Sequence, residues 1–163
     1  MILVLTGFSY HPFDRLVKAM DEIAGRMAEE ILIQKGSSKV EVVHAKSFDW
    51  DSYERIEELV KSARIIVCHA GVGTLLDCKR NEKHMIIVPR RREFGESFDN
   101  HQEEIAIAIN SKGSGRLVEN VAYLEEAIRE IMTTEHKPKD SSSVTLPIAI
   151  KDLLTRIERE GSS

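Results

Sequence analysis

The sequence predicts an α/β fold, a single doubly wound domain built on a parallel sheet. Runs of four aliphatic residues alternate along the chain with longer segments in which apolar residues recur at helical spacing. The aliphatic runs contain almost no polar residues, which indicates strands covered on both faces. Right-handed crossovers between such strands leave a ligand crevice at the carboxyl ends of the strands.

The first half of the chain supplies three predicted strands and two predicted helices. Residues 2–5 are wholly apolar and predict the first strand, and Pro12 suits a first helical position because it has no N–H to leave unpaired. Apolar residues then follow one helical face to Met27. Further aliphatic runs predict strands at residues 31–34 and 40–43, and apolar residues at helical spacing predict a helix over residues 52–62.

The second half continues the alternation. Residues 65–68 and 85–88 are aliphatic runs that predict strands four and five, and a helix opens from the glycine turn between them. The same patterns predict a helix over 100–111, a short strand at 117–118 and a helix over 121–132.

The domain organisation follows from where this pattern stops. Residues 1–136 form the predicted domain, and residues 137–146 are a polar linker. Residues 147–160 predict an amphipathic C-terminal helix, whose apolar face packs on its own sheet or on a separate subunit.

Composition restricts the function classes. The 163 residues carry a formal net charge of −4, which argues against a general nucleic-acid binder. No apolar run approaches the roughly 20 residues of a membrane span. The two cysteines have no metal-ligand spacing, so we expect them to be reduced and structural, consistent with a cytoplasmic protein.

The most informative segment is residues 65–77, a predicted strand, a tight glycine turn and a helix that opens from it. Unpaired N–H groups at a helix start suit a phosphate, and Gly71 and Gly73 let the main chain approach a ligand closely. Asp77 lies one helical turn further on, where a carboxylate can accept hydrogen bonds from ribose hydroxyls. The alternative is a turn that needs glycine for steric reasons alone.

A second polar segment follows strand five. Residues 99–104 bring acids, amides and an imidazole to a predicted helix start, a set suited to sugar hydroxyls. Residues 90–92 are three arginines that either screen a diphosphate or form a solvated loop.

These motifs together resemble glycosyltransferase family 28. The resemblance rests on residues 69–77 and 99–102, and extends to residues 13–16 and 31–36, so it spans about residues 1–132. Within the family it is most similar to the small donor-binding subunits of two-part enzymes that add N-acetylglucosamine to a lipid-linked sugar, and to prokaryotic exopolysaccharide relatives.

The resemblance implies the C-terminal, Rossmann-like half of a GT-B enzyme, with a UDP-sugar as substrate and neither cofactor nor metal. It implies that Asp77 binds ribose, although the family more often has Glu there, and that the loop around Phe48 and Trp50 holds uracil. The diphosphate would be held by Gly71, Val72, Gly73 and Thr74 with His69 and Arg90 nearby, and the donor sugar by Asn100, His101 and Gln102.

The resemblance also predicts a partner. No acceptor-binding domain precedes the first strand, so we expect a membrane-associated subunit to supply the lipid-linked acceptor site and the general base, with the C-terminal helix at the interface. His69 would stabilise the departing diphosphate, and His11 is the local candidate for the base. The chain would then be cytoplasmic and peripheral to the membrane.

Two other function classes stay open. One is a non-catalytic nucleotide-sugar-binding or regulatory subunit that uses the same crevice. The other is a nucleotide-sugar epimerase, a reaction that closes the sugar between two domains and that a single domain of this length does not enclose.

Overall fold

The computed structural model describes residues 1–133 and residue 151, and within them it contains one six-stranded parallel sheet. The strand order is β3-β2-β1-β4-β5-β6, so the chain winds outward twice from the centre. This is the predicted doubly wound fold. The strands are β1 (Ile2–Leu5), β2 (Ile31–Gln34), β3 (Lys46–Phe48), β4 (Ile65–Cys68), β5 (His84–Ile87) and β6 (Arg116–Leu117). The helices are α1 (Asp14–Ala24), α2 (Tyr53–Ser62), α3 (Val72–Arg80), α4 (His101–Ser111) and α5 (Leu124–Thr133).

The strands have an apolar core on each face. In β1, Leu3 and Leu5 belong to the core formed with α2, α3 and α4, whereas Ile2 and Val4 belong to the core formed with α1 and α5. Successive side chains of a strand point to opposite faces, so an unbroken aliphatic run fills both layers. This explains why the strands carry no polar–apolar alternation.

Most predicted elements are confirmed with shifts of one to three residues at their ends. Strands one, two and four have the predicted bounds, and α2 begins at Tyr53 after Ser52, whose hydroxyl accepts a hydrogen bond from the N–H of Arg55. The helix predicted over 121–132 begins as a short 3-10 turn at Val121–Tyr123 before α5.

The third strand was predicted at the wrong place. Residues 40–43 are not a strand; β3 is Lys46–Phe48, which pairs with β2. The carboxylate of Asp21, a buried residue of α1, accepts hydrogen bonds from the backbone N–H groups of residues 43, 44 and 45 at 2.8–3.0 Å. Burial alone would raise the pKa of Asp21, but these three donors outweigh it and lower the pKa. The amide at the end of the predicted strand and the next two amides are therefore bound by a side chain.

The first helix begins later than predicted, at Asp14 rather than at Pro12. Phe13 is the residue before the helix, and its N–H donates to the hydroxyl oxygen of Ser38 at 2.7 Å. Phe13 has φ of −125° and ψ of 50°, which are not helical, so the helix begins after it.

The predicted linker at 137–146 and most of the predicted helix at 147–160 lie outside the described residues. Within the described part of the chain, no helix is both long enough and apolar enough to cross a bilayer. Cys68 and Cys78 are free and buried, as expected, and a hydrogen bond between them followed by burial raises the pKa of Cys78.

Candidate functional site: the carboxyl edge between β1 and β4

The candidate site lies where the strand order reverses. The chain leaves β1 toward α1 on one face and leaves β4 toward α3 on the other, which opens a crevice between the two loops. His69 follows β4, and its N–H donates to the carbonyl of Leu5 at 3.3 Å. The loop after β1 and the loop after β4 therefore meet at His69.

The His69 imidazole is packed between two glycines. A Cβ on Gly7 or on Gly71 would overlap the ring, and at Gly71 it would lie 2.8 Å from Cε1. Gly7 also has φ of +77°, which disfavours any other residue. Burial, followed by the charge of Arg90, lowers the pKa of His69 to about 4, so the ring is neutral at pH 7. Its Nδ1 is buried without a partner among the described residues.

Helix α3 opens directly beside this histidine. Gly71 precedes the helix and offers no side chain as a cap, and the first helical hydrogen bond runs from the N–H of Leu75 to the carbonyl of Gly71 at 3.0 Å. The N–H groups of Val72, Gly73 and Thr74 precede that bond and have no acceptor within the helix. A Cβ on Gly73 would meet no atom within 4 Å, so there is open space beside Gly73 in this first turn.

The two glycines of the turn are expected to respond differently to alanine. Gly71→Ala should lower the free energy of unfolding by about 1–3 kcal/mol, because its methyl overlaps His69. Gly73→Ala should leave stability unchanged or raise it by about 0.5–1 kcal/mol, because the space is open and alanine favours the helix. Urea unfolding of both variants measures this, and equal losses would contradict the packing described here.

Arg90 was predicted to lie near the diphosphate, but its guanidinium is directed at backbone carbonyls instead. It is buried, and its NH1 donates to the carbonyls of His11 at 2.9 Å and Glu96 at 3.0 Å, with Pro12 at 3.3 Å. Its NH2 donates to the carbonyl of Thr6 at 2.7 Å. Burial lowers the pKa of Arg90 to about 10 while the charge of Glu96 opposes the shift, so the guanidinium stays charged at pH 7. It ties the loop after β1 to the loop after β5.

Several buried polar atoms without a hydrogen-bond partner lie along this same edge of the sheet. All six buried side-chain atoms that lack a partner in the described part of the chain belong to residues at or just after the ends of β1, β2, β4 and β5. Buried polar atoms normally find partners, so such a cluster marks a place for water or ligand. The atoms are Thr6 Oγ1, His11 Nε2, Gln34 Nε2, His69 Nδ1, Arg90 Nε and Arg91 Nε.

Asp77 lies on α3 at the boundary with α2. Its side chain is buried, and its Oδ1 accepts a hydrogen bond from the hydroxyl of Tyr53 at 3.0 Å. This hydrogen bond and the charge of Asp77 raise the pKa of Tyr53. The carboxylate is thus held in one orientation on the side of α3 that faces α2.

Asn100 and Gln102 lie at the start of α4, with their side-chain oxygens bound to the backbone. Asn100 Oδ1 accepts from the N–H of Arg92 at 3.0 Å, and Gln102 Oε1 accepts from the N–H of Arg90 at 3.1 Å. Both amide NH₂ groups therefore remain as donors. His101 Nδ1 lies 3.2 Å from the carboxylate of Asp99.

Aromatic side chains border the crevice on the β3 side. Trp50 is half-exposed and stacks on Phe8, with ring centroids 5.6 Å apart and planes at 18°. An open cavity of about 270 Å³ is lined by Phe8, Ser9, Tyr10 and Trp50. Phe48, at the end of β3, instead packs against the core under α2.

His11 closes the opposite side of the loop after β1. Its ring meets Phe98 edge-on at 4.4 Å between centroids, and its Nδ1 lies 3.2 Å from the carbonyl of Gly95. His11 is therefore held against the loop after β5. Within residues 1–133, no three His, Cys, Asp or Glu side chains are grouped as a metal site.

Residues 1–156 match the model of the glycosyltransferase family 28 C-terminal domain. The chain belongs to this family. No curated protein matches it.

Solved structures agree on the fold of this family member. The NMR solution structure of ALG13 is 20% identical with a TM-score of 0.61, and the match covers 93% of this chain and 94% of that one. MurG from Acinetobacter baumannii is 17% identical with a TM-score of 0.60, covering 81% of this chain and 41% of that one. UDP-glucose: anthocyanidin 3-O-glucosyltransferase in complex with UDP is 17% identical with a TM-score of 0.65, covering 99% and 40%. The chain thus spans about two fifths of the longer enzymes and has the fold of the C-terminal half of a GT-B enzyme.

Sequence reasoning missed three residues at the edge of this family 28 domain. Glu96 is buried and binds Arg15 through two hydrogen bonds, at 3.0 and 2.9 Å. Gln34 is buried at the end of β2, where its Oε1 accepts from the N–H of Gly7 at 3.2 Å. A polar residue closing an aliphatic strand was a usable signal for Gln34. Glu96 and Arg15 lie in charged segments with no pattern that separates them from solvated residues.

Proposed function

We propose that the chain is the donor-binding, catalytic subunit of a two-component glycosyltransferase. It would transfer a hexose, N-acetylglucosamine by family default, from a UDP-sugar to a lipid-linked acceptor. The observation that carries the proposal is the start of α3 beside His69, which has no side-chain cap and has open space beside Gly73. Such a helix start binds phosphate groups and favours their negative charge.

The departing UDP needs its developing charge stabilised. Amides preorganised toward that position act without reorganising during the reaction, which is an effective form of transition-state stabilisation. Because the pKa of His69 is about 4, its ring would act as a neutral hydrogen-bond donor rather than as a cation. Arg90 contributes by holding the loop after β1 in place, since its NH groups already donate to carbonyls.

The other parts of the donor fit on either side of the diphosphate. Asp77 is held by Tyr53 and would accept the ribose hydroxyls, with uracil toward Trp50 and the loop that follows Phe48. The NH₂ groups of Asn100 and Gln102 are free to donate to the hexose hydroxyls, with His101 between them.

Acceptor binding is assigned to a membrane-associated partner subunit, with the C-terminal helix at the interface. The family resemblance and the likeness to ALG13 over nearly the whole of both chains support this division. His11 is half-buried with its Nδ1 directed at Gly95, so we assign the general base to the partner.

Calorimetric titration with UDP, UDP-N-acetylglucosamine and other nucleotide sugars tests donor binding. Asp77→Ala should weaken UDP binding by about 1–3 kcal/mol, the size of lost hydrogen bonds to a charged group. Tyr53→Phe keeps the carboxylate and removes the hydroxyl that orients it, with Arg80 still 3.5 Å from Oδ1, so it should weaken UDP binding less than Asp77→Ala does. Equal affinity of wild type and Asp77→Ala would exclude Asp77 from the ribose site.

Transfer to a synthetic polyprenyl-diphosphate N-acetylglucosamine tests the two-component arrangement. We expect no transfer by the purified chain and transfer after addition of membranes from its source. Full activity of the chain alone would refute the two-subunit proposal. Donor binding with no transfer under any of these conditions would instead support a regulatory subunit.

A further inference from the structure

An ion pair with a buried carboxylate lies beside the proposed sugar-binding residues. Glu96 is 3% exposed, and its two carboxylate oxygens accept from Nε and NH2 of Arg15 on α1. Arg15 also donates to the carbonyl of Pro89 at 3.0 Å. A two-pronged arginine–carboxylate pair fixes orientation as well as position, so α1 holds the loop after β5 at Glu96.

The same carboxylate is part of a row of bonds to three consecutive backbone amides. The N–H of Arg90 donates to Gln102, that of Arg91 donates to Glu96 at 3.1 Å, and that of Arg92 donates to Asn100. Residues 96–102 are thereby folded back on residues 90–92. Two of the three side chains in this row are the ones proposed to meet the donor sugar.

These bonds position the residues proposed to bind the sugar but not those proposed to bind the nucleotide. Gln102 and Asn100 use their oxygens in the row, so the direction of their NH₂ groups depends on where the 90–92 backbone lies. Among the described residues no hydrogen bond joins the start of α3 or Asp77 to the row; Gly71, His69 and Tyr53 position them. A disturbance at Glu96 would therefore reach the sugar site before it reached the diphosphate site.

We propose that Glu96, held by Arg15, is a positioning residue for recognition of the donor sugar. It acts through the 90–92 backbone on Asn100 and Gln102 and does not contact the substrate. This rests on the proposed function and adds to it a determinant that distinguishes the UDP-sugar from UDP.

The test is titration of the full chain with UDP and with UDP-N-acetylglucosamine. Glu96→Gln keeps the shape of the side chain but loses its charge and one carboxylate oxygen. Affinity for the UDP-sugar should therefore fall about tenfold, while affinity for UDP should change less than about twofold. Arg15→Lys keeps the charge and loses the two-pronged contact, and should show the same selective loss. Glu125→Gln makes the matched change in the exposed Arg26–Glu125 pair and should alter neither affinity.

The outcomes are distinguishable. If wild type binds both ligands and Glu96→Gln and Arg15→Lys lose both equally, or neither, Glu96 is a purely structural residue and the inference fails. If wild type binds neither ligand, the proposed function itself fails. A selective loss in Arg15→Lys with unchanged unfolding temperature supports positioning even where Glu96→Gln folds poorly.

Discussion

Replacing Arg90 with methionine is expected to lower the free energy of unfolding by about 3–5 kcal/mol. The buried guanidinium donates to backbone carbonyls of the loops after β1 and β5, and it lies over the Phe13 ring at 4.6 Å. Methionine keeps much of the volume and supplies no donor, so several buried carbonyls would lose their partner. Chemical unfolding followed by circular dichroism measures the loss.

Arg92→Met is the matched control for this change. Arg92 is exposed, and within the described part of the chain only its backbone groups form hydrogen bonds: its N–H donates to Asn100 and its carbonyl accepts from the N–H of Gly95. Its replacement should shift stability by no more than about 0.5 kcal/mol. Similar losses in the two variants would contradict the structural role given to Arg90.

The contrast between these arginines shows where sequence reasoning stopped. Residues 90–92 are identical in type, yet Arg90 is buried, Arg91 forms ion pairs with Glu93, Glu103 and Glu119, and Arg92 is exposed. Their burial depends on where α1 and the loop after β1 pass, which involves residues about 80 positions away. Contacts between residues so far apart in the sequence cannot be predicted from the local sequence pattern.

The sheet itself was predictable because its information is local. Four-residue aliphatic runs fill two cores at once, and that requirement is visible in the run itself. The exception is residues 40–43, where a carboxylate on α1 binds the amide of Val43 and of the next two residues. These side-chain bonds span more than 20 positions, so the local pattern does not reveal them.

The glycine turn was the most informative segment, and the structure adds a reason for one of its glycines. Gly71 is required by the imidazole beside it, whereas Gly73 borders open space. The steric interpretation therefore applies to Gly71, and the ligand-binding interpretation stays a prediction for Gly73. The position of the His69 ring beside Gly71 makes that distinction.

A second large effect on the free energy of unfolding is expected when the pH is lowered. The neutral form of His69 is favoured in the folded state, where its pKa is about 4 against an ordinary value of 6.5. As the pH falls below 6.5 the unfolded chain takes up a proton that the folded chain does not, so stability falls until the pH reaches about 4. The loss attributable to His69 is about 3 kcal/mol, at 1.36 kcal/mol per pKa unit. His69→Gln should lack this loss. Urea unfolding from pH 7 to pH 4 measures it, and an equal dependence of the free energy of unfolding on pH in wild type and variant would contradict the prediction.

Binding of a diphosphate should reverse part of this penalty. A negative group at the start of α3 favours the protonated imidazole, so the pKa of His69 should rise in the complex. When UDP binds near pH 5, the protein should then take up a fraction of a proton. Calorimetry detects this uptake because the measured binding enthalpy then differs between buffers of unequal ionisation enthalpy. His69→Gln should remove most of that difference. A wild-type enthalpy independent of the buffer would mean that the diphosphate does not lie beside His69, and the site proposed here would have to be moved.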